Sequence, residues 1–215
     1  MTGLPLALVF AAGDAPLARL LPGLLHGADL VVAADGGLAH VVACGLQADR
    51  IVGDLDSVDP ELLERFPGVA VERHPVAKDE LDLELALQSA AELGAGSFRV
   101  LGAFGGRFDH SLAALLVGAR WAADGHEISL HGGSHEAHYC LPGRPLRLRL
   151  EPGTTLSLMA LREAAVLDSR GLLFALHDTT LPWGSGLGMS NESVDPEVEV
   201  SCSSGQAALI VEHEP

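Results

Sequence analysis

The stretch RIVGDLDSVDPELLERF, residues 50–66, holds an apolar run, two alternating carboxylates and a helix start in immediate succession. The run "RIVGD" reads as a strand. "DPELLERF" reads as a helix, with Asp59 as its cap and Pro60 in its first turn. Between them stand Asp54 and Asp56. Residues i and i+2 of an extended chain face one side, about 6–7 Å apart. Two carboxylates so placed could share a divalent cation such as Mg²⁺, which holds its oxygens at about 2.0–2.1 Å. The competing reading is a turn, since aspartate favours turns and caps. One aspartate is easily explained that way, but two on one side repel unless a cation lies between them.

The same grammar extends outward in both directions. "LALVFAA" (6–12), "ADLVVAAD" (28–35), "VAVERHP" (69–75), "FRVLGAF" (98–104) and "EISLH" (127–131) are further strand-like runs. Helical patterns separate them: residues 14–25 interrupted at Pro22, a short helix from Leu38, and a helix ending at residue 93 with Leu83, Ala86, Leu87 and Ala90 on one face. In the next helix Leu112, Leu115, Leu116 and Ala119 form the stripe. Such alternation predicts an α/β fold, a Rossmann-like, mostly parallel sheet with helices on both faces. Ligands of such sheets bind beyond the carboxyl ends of the strands. The unusual polar residues fall there: Asp35-Gly36-Gly37, Gly53 to Asp56, and Gly105-Gly106-Arg107. One shared site is the economical expectation.

Beyond about residue 140 the pattern changes to short runs, "RLRLE", "TTLSLMAL", "AAVLDSR", "LLFAL", "VEVSC" and "AALIVE", separated by Gly, Pro, Asp and Ser. A small all-β, sandwich-like domain is expected. The division expected is an α/β domain over residues 1–140 and a β-rich domain over 141–215.

Composition restricts the function. A formal charge of −16 argues against nucleic-acid binding, which needs basic patches to neutralise phosphates. It leaves ATP chemistry open, because Mg²⁺ supplies positive charge locally. The three cysteines, Cys44, Cys140 and Cys202, form no CxxC, so a reducing, cytoplasmic setting is expected. The opening "MTGLPLALVFAAGDAP" lacks a basic leader and reads as a buried first strand. No apolar run approaches the roughly 20 residues that span a membrane.

Other residues carry possible chemistry, each with a plainer alternative. Asp82 in "KDELDLELAL" is a third carboxylate or, with Asp79, a helix-start charge. Lys78 could meet phosphate or simply be solvated. In "GAFGGRFDHSLAALL" the glycines allow close backbone approach, the helix start offers free N–H groups to an anion, and Arg107 has a guanidinium suited to phosphate oxygens. Asp109 could be an N-cap and His110 a partly buried helix residue. In "LPWGSGLGMSNES" Trp183 offers a stacking face, and Ser190 and Asn191 offer hydrogen bonds; a hairpin with a core tryptophan is the alternative.

Taken in order, "ADGG", "DRIVGDLDSV", "KDELDLELAL", "GGRFDH", "GLLFAL" and "GMSNE" resemble the thiamine pyrophosphokinase family across nearly the whole chain. The resemblance implies Mg-ATP-dependent transfer of a diphosphoryl group to the hydroxyethyl oxygen of thiamine, releasing AMP, by a homodimer. It implies that Asp54, Asp56 and Asp82 hold Mg²⁺. Asp35, Gly36, Gly37, Lys78, Gly105, Gly106, Arg107, Asp109 and His110 would serve the nucleotide. Ser190 and Asn191, with Trp183 or Phe174 as a stacking partner, would take thiamine. Two departures stand out: Leu81 where the family has threonine, and Met189 where it has threonine or valine. A metal-dependent phosphoesterase, a non-catalytic nucleotide sensor, or a diphosphokinase for another alcohol such as a pterin would use similar carboxylates.

Overall fold

A computed structural model of the chain describes residues 4–56, 58–75 and 79–214. The chain divides into two compact units, residues 1–117 with 126–133, and residues 118–125 with 134–215.

The first unit runs β1 (Leu6–Phe10), α1 (Leu21–Leu25), β2 (Leu30–Ala34), α2 (Leu38–Ala43), β3 (Arg50–Gly53), α3 (Pro60–Glu64), β4 (Ala70–Arg73), α4 (Asp82–Glu92), β5 (Ser97–Leu101), α5 (Phe108–Ala123) and β6 (Glu127–Gly132). Its strands lie in the order β4-β3-β2-β1-β5-β6 and pair in parallel throughout. Parallel strands buried on both faces need near-continuous apolar runs, and β1, with Ala7 to Phe10 all inaccessible, is of that kind. Successive side chains point to opposite faces. Leu8, Phe10, Val31, Ala33 and Ile51 share one core with residues of α1, α2 and α3. The other face of β1–β3 is met by α4, whose Leu83, Ala86, Leu87 and Ala90 are buried as the sequence predicts.

The start of α3 also follows from the sequence. The Asp59 carboxylate accepts the Glu61 N–H at 2.9 Å, and Pro60 occupies the first turn. The start of α4 is less well capped. Leu81 sits at the N-cap with extended backbone and has no side-chain oxygen to offer; its own N–H donates to the Glu84 carboxylate at 3.1 Å. Leu81→Thr is therefore expected to raise stability by about 1 kcal/mol. Urea unfolding checks it, and a lower midpoint would mean that the half-buried leucine contributes more by packing than a hydroxyl would by capping.

Three local expectations need correction. The helix predicted over residues 14–25 is helical only at Leu21–Leu25, because Pro22 suits a first turn and not an interior. "LLFAL" forms no strand; Leu172 makes one isolated bridge, to Ser193. In α5, Leu112 and Leu116 are exposed, whereas Ala114, Val117, Ala119, Trp121 and Ala122 are buried. This helix is apolar nearly all round, so periodicity alone does not select its inner face. Small residues allow the closer approach.

The second unit contains β7 (His135–Cys140), β8 (Leu146–Arg149), β9 (Thr155–Ala160), β10 (Ala165–Arg170), β11 (Thr179–Leu181), β12 (Asn191–Glu192), β13 (Glu197–Ser204) and β14 (Ala207–Glu212). Two antiparallel arrays, β12-β9-β14-β7 and β11-β10-β13-β8, enclose one apolar core that includes Leu156, Leu158, Leu167, Leu181, Val200 and Leu209. This is the expected sandwich. No helix among the described residues is long and apolar enough to cross a membrane.

Candidate active site

Asp35 is the first residue beyond β2 and opens a single 3-10 turn, Asp35–Gly37, with φ of +46°. Gly53 ends β3 with φ of +145°, and a Cβ there would stand 3.1 Å from the Asp35 Cβ. Glycine at 53 is what lets the ends of β2 and β3 close on each other. The next residues turn instead of continuing extended. Leu55 takes φ of +63°, and its side chain is buried in the core beneath. The Asp56 N–H donates to Asp54 Oδ1 at 3.1 Å. The two carboxylates therefore share a side because the chain bends over a buried leucine, not because of strand alternation. A non-glycine residue in this region costs about 1–3 kcal/mol and persists only where its surroundings hold it. Here the apolar contacts of Leu55 do so.

The bend places carboxylate oxygens of Asp35, Asp54 and Asp56 all within 4.8 Å of one another. Their mutual repulsion is visible in Asp56, whose carboxyl is pushed above the usual aspartate range. The Asp54 charge is the largest cause, followed by the hydrogen bond to Asp54, desolvation, and the charges of Asp35 and Asp82. Asp82, the first residue of α4, is thus near enough to act on Asp56 but stands outside the tight group. Three hard oxygen donors that repel when ionised fit a small divalent cation such as Mg²⁺.

The strand order explains what lies beside them. From β1 the chain steps one way to β2, β3 and β4, then returns to β5 on the other side of β1. Loops at such a switch point open a crevice. The Gly13 N–H donates to the Gly102 carbonyl at 2.9 Å and the Asp14 N–H to the Phe104 carbonyl at 2.7 Å. Gly105 has φ of +106°, and a Cβ on it would stand 2.2 Å from the Asp14 carboxylate. Asp14, an acidic residue just past the first strand that the sequence reading does not single out, thus lies against the Gly105 turn.

Farther along this loop, Arg107 and Asp109 form a two-pronged pair, Nε to Oδ1 at 3.1 Å and Nη2 to Oδ2 at 2.6 Å. Both side chains are well exposed. Arg107 holds the Asp109 carboxyl down to about 2, chiefly by that hydrogen bond. The Gly105 N–H donates to Ser111 Oγ, which donates to the Arg107 carbonyl, so the loop is tied to the first turn of α5. His110 is exposed in that turn, while Gly36 and Gly37 line the start of α2. Lys78 lies outside the described residues.

In the second unit Trp183 and Phe174 are 67% and 65% exposed, so the reading of a core tryptophan is overturned. Ser190 is exposed, with φ of +53°, and its N–H donates to Ser157 Oγ at 3.1 Å. Asn191 is buried.

The region 21–130 matches the family model for the thiamin pyrophosphokinase catalytic domain, and 145–207 that for the thiamin pyrophosphokinase vitamin B1 binding domain. Thiamine pyrophosphokinase of Bacillus subtilis is 25% identical over 205 residues, 94% of this chain and 96% of that protein. Its crystal structure superposes with a TM-score of 0.85 at 22% identity, covering 98% of this chain and 100% of the other. A thiamin pyrophosphokinase family protein from Enterococcus faecalis gives 0.79 at 27% identity, covering 98% and 100%. The thiamin pyrophosphokinase of Geobacillus thermodenitrificans gives 0.79 at 26%, covering 97% of each chain.

Proposed function

The chain belongs to the thiamin pyrophosphokinase family, and from that premise we propose that it transfers the diphosphoryl group of ATP to the hydroxyethyl oxygen of thiamine, with Mg²⁺ held by its clustered aspartates. The carrying observation is the convergence of Asp35, Asp54 and Asp56 at the carboxyl ends of β2 and β3. Residues 1–140 serve ATP, and residues 141–215 take thiamine.

Bound among these carboxylates, Mg²⁺ supplies Lewis-acid polarisation of phosphate oxygens and offsets their charge. The remaining work falls to the chain. Asp35, Asp54 and Asp56 are the metal donors, and Asp82 adds negative charge at their edge. Gly36 and Gly37, with the Gly105-Gly106 loop, admit the nucleotide closely. At the start of α5 the Asp109 carboxylate accepts the His110 N–H, and its displacement leaves that N–H to an anion. Arg107 exchanges its fork from Asp109 to phosphate oxygens and, with Lys78, balances charge on the leaving AMP. The thiamine oxygen forms its bond to the β-phosphorus as the bond from that phosphorus to the α-phosphate's bridging oxygen breaks. The hydroxyl proton passes late to a carboxylate, because a loose transition state needs little prior deprotonation. Ser190 reaches thiamine by hydrogen bonding, and Trp183 and Phe174 offer faces to its cationic ring.

The test is incubation with Mg-ATP and thiamine, following AMP and thiamine diphosphate together. Equal amounts of both are expected only with thiamine present. ADP or free phosphate in their place would replace this reading with a phosphoesterase or an ordinary kinase.

The metal assignment has its own check. Because Asp56 titrates above its usual value in the folded state, the metal-free protein binds more protons than the unfolded chain in that interval. Its stability therefore falls as pH rises through the interval. Mg²⁺ competes with the same protons. The melting-point increment produced by Mg²⁺ is expected to be full near neutral pH and to shrink as acid titrates Asp56. An increment that does not depend on pH would remove Asp56 from the ligand set.

The reading includes a homodimer. Phe108, Leu112 and Leu116, at helical spacing and all exposed, support it. A solution mass of one chain would discard it. It also includes a reducing, cytoplasmic setting, supported by free thiols at Cys44, Cys140 and Cys202.

A further inference from the structure

We propose that Asn191 is a positioning residue that presents Phe174 as the stacking face for the acceptor's heteroaromatic ring, instead of contacting the acceptor itself; this rests on the activity proposed above. Asn191 is only 3% exposed. Its Oδ1 accepts from the Phe174 N–H at 3.0 Å and from the Glu192 N–H at 2.9 Å. Its Nδ2 donates to the Phe174 carbonyl at 2.8 Å. Both ends of the carboxamide are thus engaged with main chain, and two of the three bonds grip one residue from both of its peptide groups.

The surrounding segment is held equally firmly. The Leu173 N–H donates to the Glu192 carbonyl at 2.8 Å. The Leu176 N–H donates to Ser169 Oγ at 2.8 Å, and the Ser169 N–H returns to the Leu176 carbonyl at 2.9 Å. The Asp178 N–H donates to Asp168 Oδ1 at 3.0 Å. A loop this well bonded nevertheless leaves its phenylalanine ring about two-thirds in solvent. Folding gains nothing from that exposure, since apolar surface left wet forgoes the stabilisation of burial. A ring carried on firmly bonded main chain does favour a ligand, because the ordering cost of that main chain is met during folding and not on binding. An aromatic face of this kind suits a flat, electron-poor or cationic ring.

A double-mutant cycle on the full chain tests this. Asn191→Ala and Phe174→Ala are each expected to raise the KM for thiamine about tenfold and leave the KM for ATP unchanged. The double variant is expected to match Phe174→Ala alone, because Asn191 acts only through that ring. Asn191→Asp, which keeps volume but cannot donate to the Phe174 carbonyl, repeats the cycle should the alanine variant fold poorly. A further rise in thiamine KM when Asn191 is changed in the Phe174→Ala background would show direct contact and overturn the proposal. So would an unchanged KM in Phe174→Ala. If the wild-type chain makes no thiamine diphosphate, the activity reading fails separately. The cycle is then read on the calorimetric Kd for thiamine, and no binding by wild type overturns the positioning role as well.

Discussion

Asp54→Asn is expected to lower thiamine diphosphate formation by about a thousandfold, the scale on which a single electrostatic group at a reacting centre is felt. The thermal midpoint of the metal-free protein is expected to stay level or rise. The carboxylate contributes nothing to the core; in the ligand-free protein it repels Asp56, and removing its charge relieves that repulsion. Asp56→Asn should behave alike, and the double variant should fall little below either single one, because a metal site lost once cannot be lost again. Parallel melting and turnover measurements decide the matter. Full turnover in Asp54→Asn would mean that acceptance of the Asp56 N–H, which an asparagine Oδ1 keeps, is the purpose of Asp54, as in an ordinary turn.

Arg107→Ala is expected to lower kcat by a hundredfold or more while the protein melts as wild type, since an exposed pair adds little to folding. Arg107→Lys should recover only part of the rate, because an ammonium cannot reproduce the planar two-pronged contact. Substitution of the partner carboxylate separates two roles of the Arg107–Asp109 pair. If Asp109 merely parks the guanidinium until nucleotide arrives, Asp109→Asn leaves kcat nearly intact. If kcat falls as far in Asp109→Asn as in Arg107→Ala, the pair acts as a unit. Full activity in Arg107→Ala would remove this residue from the phosphate site.

Much of the α/β half was legible residue by residue. "DPELLERF" announced its own helix through Asp59 and Pro60, and the α4 stripe through Leu83, Ala86, Leu87 and Ala90. The carboxylates were legible too, as unusual polar residues at predicted strand ends. Their grouping was not. The resemblance joins Asp82 to Asp54 and Asp56, whereas the closest third carboxylate is that of Asp35. Asp35 joins them because β2 and β3 are neighbours and Gly53 carries no side chain. Asn191 was read as a polar group free to meet substrate, while its bonds to Phe174 belong to a loop contact 17 residues away in sequence.

The sequence by itself determined the parallel α/β half, the β-rich tail, the start of α3 and the identity of the acidic residues. All of these depend on side-chain period, turn chemistry and caps, which act over a few neighbouring residues. Only the tertiary structure decided which side of β1 receives β5, that Leu55 bends left-handed over the core, which face of α5 is buried, and that Trp183 stands in solvent. Those outcomes are set by packing between segments far apart in the chain, and no local pattern encodes a distant partner.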